Sequence, residues 1–318
     1  MQRTLVIANL GTPETATEEG VREFLGEFLG DPMVVEYPRW LWLPILERII
    51  LRKRPARIAR LYQSIWSEGG SPLRVQTEKL VKALSQEVPE GWKVVSAYRY
   101  GRPSIANRVA EGLRDGGEVY FTSLFPQRTA SSSGSAEAEA LRVARKFGAA
   151  DRLHLRPLPA TDADYIGALA EGVNQQLAVL PAKPDHLLVS FHSIPQAVDR
   201  REKGLYRIDC KATFEGLLAK LEWDPAKATL AYQSVFGPAK WIGPSTAATL
   251  AELPSKGVRS LLVTMPGFLT DGLETLEEIA VEGRSTFLGA GGSTYATVPA
   301  IADEPTLRRA LLRIAAVE

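Results

Sequence analysis

From Leu187 the chain begins an apolar run (Leu187-Leu188-Val189-Ser190-Phe191) that stops on His192, and Pro195 soon ends any further strand pairing. A run of this kind is the pattern of a strand buried on both faces of a parallel sheet. In open α/β sheets the carboxyl ends of the strands are where ligands and reactive groups collect, so His192 stands where chemistry is usually done. A single imidazole at that place can equally do no more than satisfy a loop carbonyl. A second stretch of the same build, Leu261-Leu262-Val263-Thr264-Met265-Pro266-Gly267-Phe268, runs into Thr270-Asp271-Gly272-Leu273-Glu274-Thr275-Leu276-Glu277-Glu278. One strand ending in an imidazole and another leading into a carboxylate-rich helix together make a candidate site.

Strand and helix patterns alternate along the whole chain. Strands are expected at Thr4–Leu10, Lys93–Tyr98, Val119–Leu124, Leu153–Leu155, near residues 187–192, at Ala228–Val235, from Leu261, and near Tyr295–Val298, with amphipathic helices between them. Such alternation implies right-handed crossovers and parallel sheets. The length of 318 residues suits two similar domains. The expected class is therefore α/β, with two Rossmann-like domains, each a parallel sheet flanked by helices. The formal net charge of +1 gives no reason to expect nucleic acid as a partner. Cys210 is the only cysteine, which excludes internal disulfides and all-cysteine metal clusters. The amino terminus enters its first strand almost at once and no apolar stretch is long enough to span a bilayer, so a cytoplasmic protein is expected.

Three segments invite functional readings. Tyr37-Pro38-Arg39-Trp40-Leu41-Trp42 and the aliphatic, then basic, residues up to Arg54 fit either a core helix or an apolar lip flanked by cations that suit anionic lipid headgroups. Ser131-Ser132-Ser133-Gly134-Ser135 opens a helix but lacks the spacing and lysine of a P-loop, and fits a pocket lining better than a phosphate cradle. On an α-helix Glu274, Glu278 and Glu282 would share a face, with Asp271 at its start. Like charges stacked in this way either meet water or are used. With only His154, His186 and His192 and one cysteine, no zinc-type set exists, whereas imidazole with carboxylates suits a ferrous ion in transit.

The motifs, in order, resemble those of the ferrochelatases, enzymes that insert Fe²⁺ into a porphyrin. They are Asn9-Leu10-Gly11-Thr12-Pro13, Phe28-Leu29-Gly30-Asp31-Pro32, Ile65-Trp66-Ser67-Glu68-Gly69-Gly70-Ser71-Pro72-Leu73, Arg99-Tyr100-Gly101, and Pro126-Gln127 with the serine loop. They continue with Ser190-Phe191-His192-Ser193-Ile194-Pro195, Gln233-Ser234-Val235-Phe236-Gly237-Pro238 with Trp241, Pro266-Gly267-Phe268, and Leu273-Glu274-Thr275-Leu276-Glu277-Glu278-Ile279. The resemblance implies a first domain of residues 1–155 carrying the lip (38–54) and completed by a last helix, 305–318, and a second domain, 156–304, carrying His192 and Glu274.

It implies that His192 and Glu274 are the facing catalytic groups, and that His192, Glu274, Glu278 and Asp271 meet the passing iron. It implies too that Arg99, Tyr100, Ser131, Trp241 and Leu10 lie near the porphyrin, with Arg99 pairing a propionate and the aromatics packing on the ring. Fe²⁺ and protoporphyrin IX are then substrates and haem b the product. No tightly bound cofactor or iron–sulfur cluster is expected, and the lip would touch the inner face of a membrane. Coproporphyrin III, another metal, and a non-catalytic tetrapyrrole or metal carrier are the competing readings. The chain departs from the family pattern at Gly272, where some relatives have histidine, and at Lys203-Gly204-Leu205-Tyr206, where many have Gly-Asp-Pro-Tyr.

Overall fold

A computed structural model describes residues 2–235 and 239–317; Phe236, Gly237 and Pro238 of the sequence motif lie outside the described residues. The chain divides into two units, Met1–Leu158 with Leu311–Glu318, and Pro159–Ala310.

The first unit holds β1 (Arg3–Gly11), β2 (Trp92–Tyr100), β3 (Glu118–Ser123) and β4 (Leu153–Leu155) in the spatial order β2-β1-β3-β4, all parallel. Central strand β1 is fully enclosed from Leu5 to Ala8, as its uninterrupted apolar sequence requires. Val6 and Ala8 pack with Val95, Phe121 and the helices Ile105–Leu113 and Ser135–Lys146. Thr17 caps the helix Glu18–Gly30, its hydroxyl accepting from the Gly20 N–H at 3.2 Å. Gly11 ends β1 at φ +107°, and a Cβ there would come 1.7 Å from the Tyr100 carbonyl oxygen. Only glycine lets β1 and β2 leave the sheet side by side at this point.

The second unit repeats the arrangement. Its strands β5 (His186–His192), β6 (Ala228–Gln233), β7 (Ser260–Thr264) and β8 (Thr294–Thr297) lie in the order β6-β5-β7-β8, again all parallel. Leu188, Val263, Leu250, Ile279 and Phe287 belong to its core. In both units the chain crosses to one side of its first strand and then to the other. The strand order therefore reverses beside β1 and beside β5, and these are the places where such sheets form ligand crevices.

Three segments depart from the expected elements, and all three wind as π-helices: Leu46–Ile50, Ala130–Gly134 and Glu274–Gly283. Their i→i+5 bonding widens each turn, and such segments are uncommon outside functional sites. The helix expected over 273–287 is thus a π-helix followed by a short α-helix, Arg284–Gly289. The lip is not a core helix. It breaks into Arg39–Ile45, which contains Pro44, then the π-turn, then Leu51–Lys53, and only Leu46 among these residues is buried. Tyr37, Trp40, Leu41, Leu43 and Ile49 stand exposed, Trp40 to 79%. Trp42 anchors the segment by donating its indole N–H to the Leu29 carbonyl at 2.7 Å. Among the described residues no helix is long and apolar enough to cross a membrane.

Leu188 is 0% exposed at the centre of β5, whereas Val179 is 74% exposed. Leu188→Ala is expected to lower the unfolding free energy by about 2–5 kcal/mol, and Val179→Ala to leave it within about 0.5 kcal/mol. Chemical denaturation followed by circular dichroism measures both.

Candidate active site

His192 is delivered by the ladder of β5. It sits abreast of Gln233 in β6, and one residue on, the Ser193 N–H donates to the Gln233 carbonyl at 2.8 Å. The His192 Nδ1 lies 2.5 Å from the Ser193 carbonyl oxygen. A carbonyl oxygen only accepts, so Nδ1 carries the hydrogen and, in the neutral ring, the lone pair resides on Nε2. The loop-carbonyl contact and the chemical role are therefore compatible: the contact selects the tautomer that leaves Nε2 able to accept a proton or a metal. Behind the histidine, the Tyr206 hydroxyl donates to the His192 carbonyl at 2.7 Å. Tyr206 is buried, and burial, then its contact with Cys210, push its ionisation well above the ordinary tyrosine range. It stays a neutral donor, so the tyrosine of the divergent Lys203–Tyr206 turn serves to brace His192.

Glu274 opens the π-helix. Its carboxylate folds back over Gly272, where a Cβ would come 3.1 Å from Glu274 Oε2; the glycine leaves that carboxylate its room. One turn on, Glu278 accepts two bonds from Ser234, from the N–H to Oε1 at 2.6 Å and from the hydroxyl to Oε2 at 2.5 Å. Burial raises the Glu278 pKa above the ordinary carboxylate value, the Ser234 bonds and the field of His192 oppose the rise, and Glu274 adds to it. His192, Glu274 and Glu278 thus share one electrostatic neighbourhood.

Two other acids of this region have different surroundings. Glu282, expected on the same face, is exposed. Asp271, read as a metal-facing carboxylate, is buried and accepts from the Thr275 hydroxyl at 2.9 Å, fixing the start of the helix. Among the described residues no group of three or more His, Cys, Asp or Glu side chains is arranged to hold a metal ion.

Trp241 lies beside the segment that follows His192. It forms an antiparallel bridge with Pro195 and its carbonyl accepts from the Gln196 amide at 3.0 Å. The remaining predicted residues belong to the first unit. Leu10 is half-buried near the end of β1, and Ser131 is half-buried in the π-turn Ala130–Gly134. One expectation is corrected here. Tyr100 does not offer its face to a ring: it is 1% exposed, edge-on to Phe28, with its hydroxyl donating to Asp31 Oδ2 at 2.9 Å. Arg99 is already paired, its Nη2 donating to the same oxygen at 2.6 Å and its Nε to Ser135 Oγ at 2.7 Å. Ser135 Oγ also donates to Asp31 Oδ2 at 2.6 Å. Sequence reasoning missed Asp31 and Ser135, which lie 68 and 36 residues from Arg99 in the chain. Gln233, Ser234 and Tyr206 were missed as well; they stand inside quoted motifs, but nothing in the pattern shows where their side chains turn.

Comparison with known proteins bears on this geometry. The family model described as ferrochelatase matches residues 2–317. The chain is 41% identical over 303 residues to a ferrochelatase of Escherichia coli, covering 95% of this chain and 93% of that one. It is 40% identical over 309 residues to a ferrochelatase of Rhodopseudomonas palustris, covering 94% and 88%. Among solved structures, SirB of Bacillus subtilis with Fe³⁺ aligns at a TM-score of 0.55 and 10% identity, over 99% of this chain and 95% of that one. A multi-domain Deinococcus radiodurans protein described as similar to chelatases aligns at 0.51 and 12% identity, over 99% and 54%. At these identities the structural likeness speaks for the fold.

Asp31 has a side chain 3% exposed, and despite its burial the bonds from Ser135, the Met33 N–H, Tyr100 and Arg99 hold its pKa below the ordinary 3.8. A depressed carboxylate contributes stability above its unfolded pKa and loses it as pH falls through the folded value. Asp31→Asn is expected to cost toward the low end of about 3–5 kcal/mol at pH 7. The gap from the parent protein should close only below the ordinary carboxylate range, as urea unfolding at neutral and at strongly acid pH will read.

Proposed function

The chain belongs to the ferrochelatase family, and from that premise we propose that it inserts Fe²⁺ into protoporphyrin IX to give haem b, with His192, Glu274 and Glu278 as the reacting groups. The observation that carries the assignment is the His192 tautomer: Nδ1 is held by the Ser193 carbonyl, and the imidazole and the Glu274 carboxylate both act on Glu278.

Metallation replaces two pyrrole N–H bonds by bonds to iron, so two protons leave as the cation enters. Nε2 of His192 accepts one, as a positioned general base contributes about 10²–10⁴-fold in rate. Glu274, whose carboxylate folds over Gly272, draws the cation to the ring and takes the other proton. Glu278, clamped by Ser234 and raised in pKa by burial, passes protons or cations onward. Iron is here a substrate moving through. A free-base macrocycle hides its nitrogens unless it is bent, and binding it bent moves it toward the transition state. Trp241 supports that role as an aromatic wall beside the His192 loop. Leu10 and Ser131 stand near the strand-order reversal of the first unit and are assigned to porphyrin contact. Arg99 is assigned to a substrate propionate, which would have to share it with Asp31.

The exposed lip favours protoporphyrin over its four-propionate relative coproporphyrin III, because an apolar rim suits the more apolar ring. Residues 38–54 carry five basic side chains, Arg39, Arg48, Arg52, Lys53 and Arg54, against the single acid Glu47. Exposed aromatics beside such a cluster support docking at an anionic membrane surface, on its cytoplasmic side.

Anaerobic mixing with Fe²⁺ and either porphyrin, followed by loss of porphyrin fluorescence, tests the reaction. Protoporphyrin should turn over faster. His192→Ala and Glu274→Gln should each bind porphyrin yet metallate it about 100-fold more slowly or worse. A Glu274→Gln protein metallating at the parent rate would instead favour the carrier reading. For the lip, sedimentation with phosphatidylcholine vesicles, with and without phosphatidylglycerol, should show binding only to the anionic ones and weakening by salt. Trp40→Ala should reduce that binding by about tenfold, the loss expected for one large apolar side chain withdrawn from the interface. Equal binding to neutral vesicles would sink the electrostatic part.

A further inference from the structure

We propose that Gln233 and Ser234, the last residue of β6 and the one after it, are positioning residues that set the spacing between the His192 imidazole and the carboxylates of Glu274 and Glu278. The inference rests on the reading of the site just given and extends it to two residues that meet no substrate.

Gln233 is held on one side by the ladder. It lies abreast of His192, and its carbonyl takes the Ser193 N–H. On the other side its amide Nε2 donates to the Glu274 carbonyl at 2.8 Å. The direction of that amide is fixed. Its Oε1 accepts from Ser190 Oγ at 2.7 Å, and since Ser190 has one hydrogen to give, its second contact, to Thr246 Oγ1 at 2.7 Å, has Thr246 as the donor. Donation thus runs one way, from Thr246 to Ser190 to Gln233 to the first residue of the π-helix. Gln233 is 2% exposed. An apolar side chain would fill a buried strand end with no polar atoms to satisfy; the amide supplies a tether that an apolar side chain lacks.

Ser234 supplies the second tether. Its backbone lies in the left-handed region, at φ +62°, which a residue with a Cβ seldom adopts. That conformation turns its N–H and its hydroxyl toward one carboxylate, one donor to each oxygen of Glu278. Two such bonds fix the carboxylate plane as well as its position. The π-helix is therefore pinned at Glu274 and at Glu278, four residues apart, to neighbours in the segment that also pairs with His192.

The test uses the full chain with Ser234→Ala, which drops the hydroxyl and keeps the strained backbone, Ser234→Gly, which drops it and relieves the backbone, and Gln233→Met. Thermal unfolding is measured beside kcat and the separate KM values for Fe²⁺ and porphyrin. Both Ser234 variants should lose about 10–100-fold in kcat/KM for Fe²⁺ with the porphyrin KM unchanged. Ser234→Gly should unfold at the higher temperature of the two and still be no more active. Gln233→Met should lower kcat likewise; if it fails to fold, the Ser234 pair decides alone. Activity that follows thermal stability, or that stays at the parent level, overturns the proposal. A parent protein that does not metallate porphyrin at all defeats the reading of the site, whereas an active parent with unaffected variants defeats only the tethers.

Discussion

β5 is hydrogen-bonded on both sides, to β6 from Leu187 to His192 and to β7 from His186 to Val189, and its residues from Leu187 to Phe191 are fully enclosed. Buried peptide groups must pair, so the register of this strand has no freedom to slip, and a slip of one residue would turn every side chain to the other face. The two ladders do not end together. Pairing with β7 stops at Val189, while pairing with β6 continues through His192. For its last three residues β5 is therefore held from the β6 side only, and β7 has already left the sheet toward Asp271 and Glu274. The imidazole and the acid helix both follow this reversal of strand order because each lies beyond the end of its own strand.

That geometry explains what a reader of the sequence can and cannot obtain. The two apolar runs, the histidine that ends one and the acids that follow the other are visible as pattern, because burial on both faces leaves a continuous apolar record. Parallel sheets with right-handed crossovers follow from strand–helix alternation, whereas the repeated strand order does not. The winding of Glu274–Gly283 is not visible: its apolar spacing fits an α-helix nearly as well, and a change of hydrogen-bond partner by one residue leaves no mark on composition. The hydrogen bonds from Tyr206, Gln233 and Ser234 are equally hidden, since each joins residues that only the completed sheet brings together. Tyr100 shows the opposite failure, in which a residue in a recognisable motif was read as a substrate contact when its hydroxyl serves a buried carboxylate.

The two units treat their buried carboxylates differently. Asp31 receives a guanidinium and two hydroxyls on one oxygen, and its pKa falls. Glu278 receives two bonds from one serine, with another carboxylate nearby, and its pKa rises. The first arrangement suits a fixed charge that organises its surroundings; the second fits the proton-handling role proposed above for Glu278. Strand order is shared, so the contrast arises from what stands at the strand ends: Arg99 in β2 beside one acid, Ser234 after β6 beside the other.

The charge of the lip adds a constraint that the fold alone does not. Residues 38–54 carry a net charge of +4 in a chain whose total is +1, so the remainder is negative by three. On the proposed docking, a body charged in this way would turn its basic segment toward an anionic surface, over a range of about 8–10 Å at physiological salt. Its exposed tryptophan and aliphatic side chains then gain by leaving water only where that segment touches. The break of the lip at Pro44 and at the π-turn keeps those side chains out of the core, with Leu46 and the Trp42 indole holding the segment down. An uninterrupted amphipathic helix over the same residues would have turned its apolar face inward. Exposure of the lip is thus a consequence of its irregular winding, in the same way that Glu278 owes its place to the π-helix that carries it.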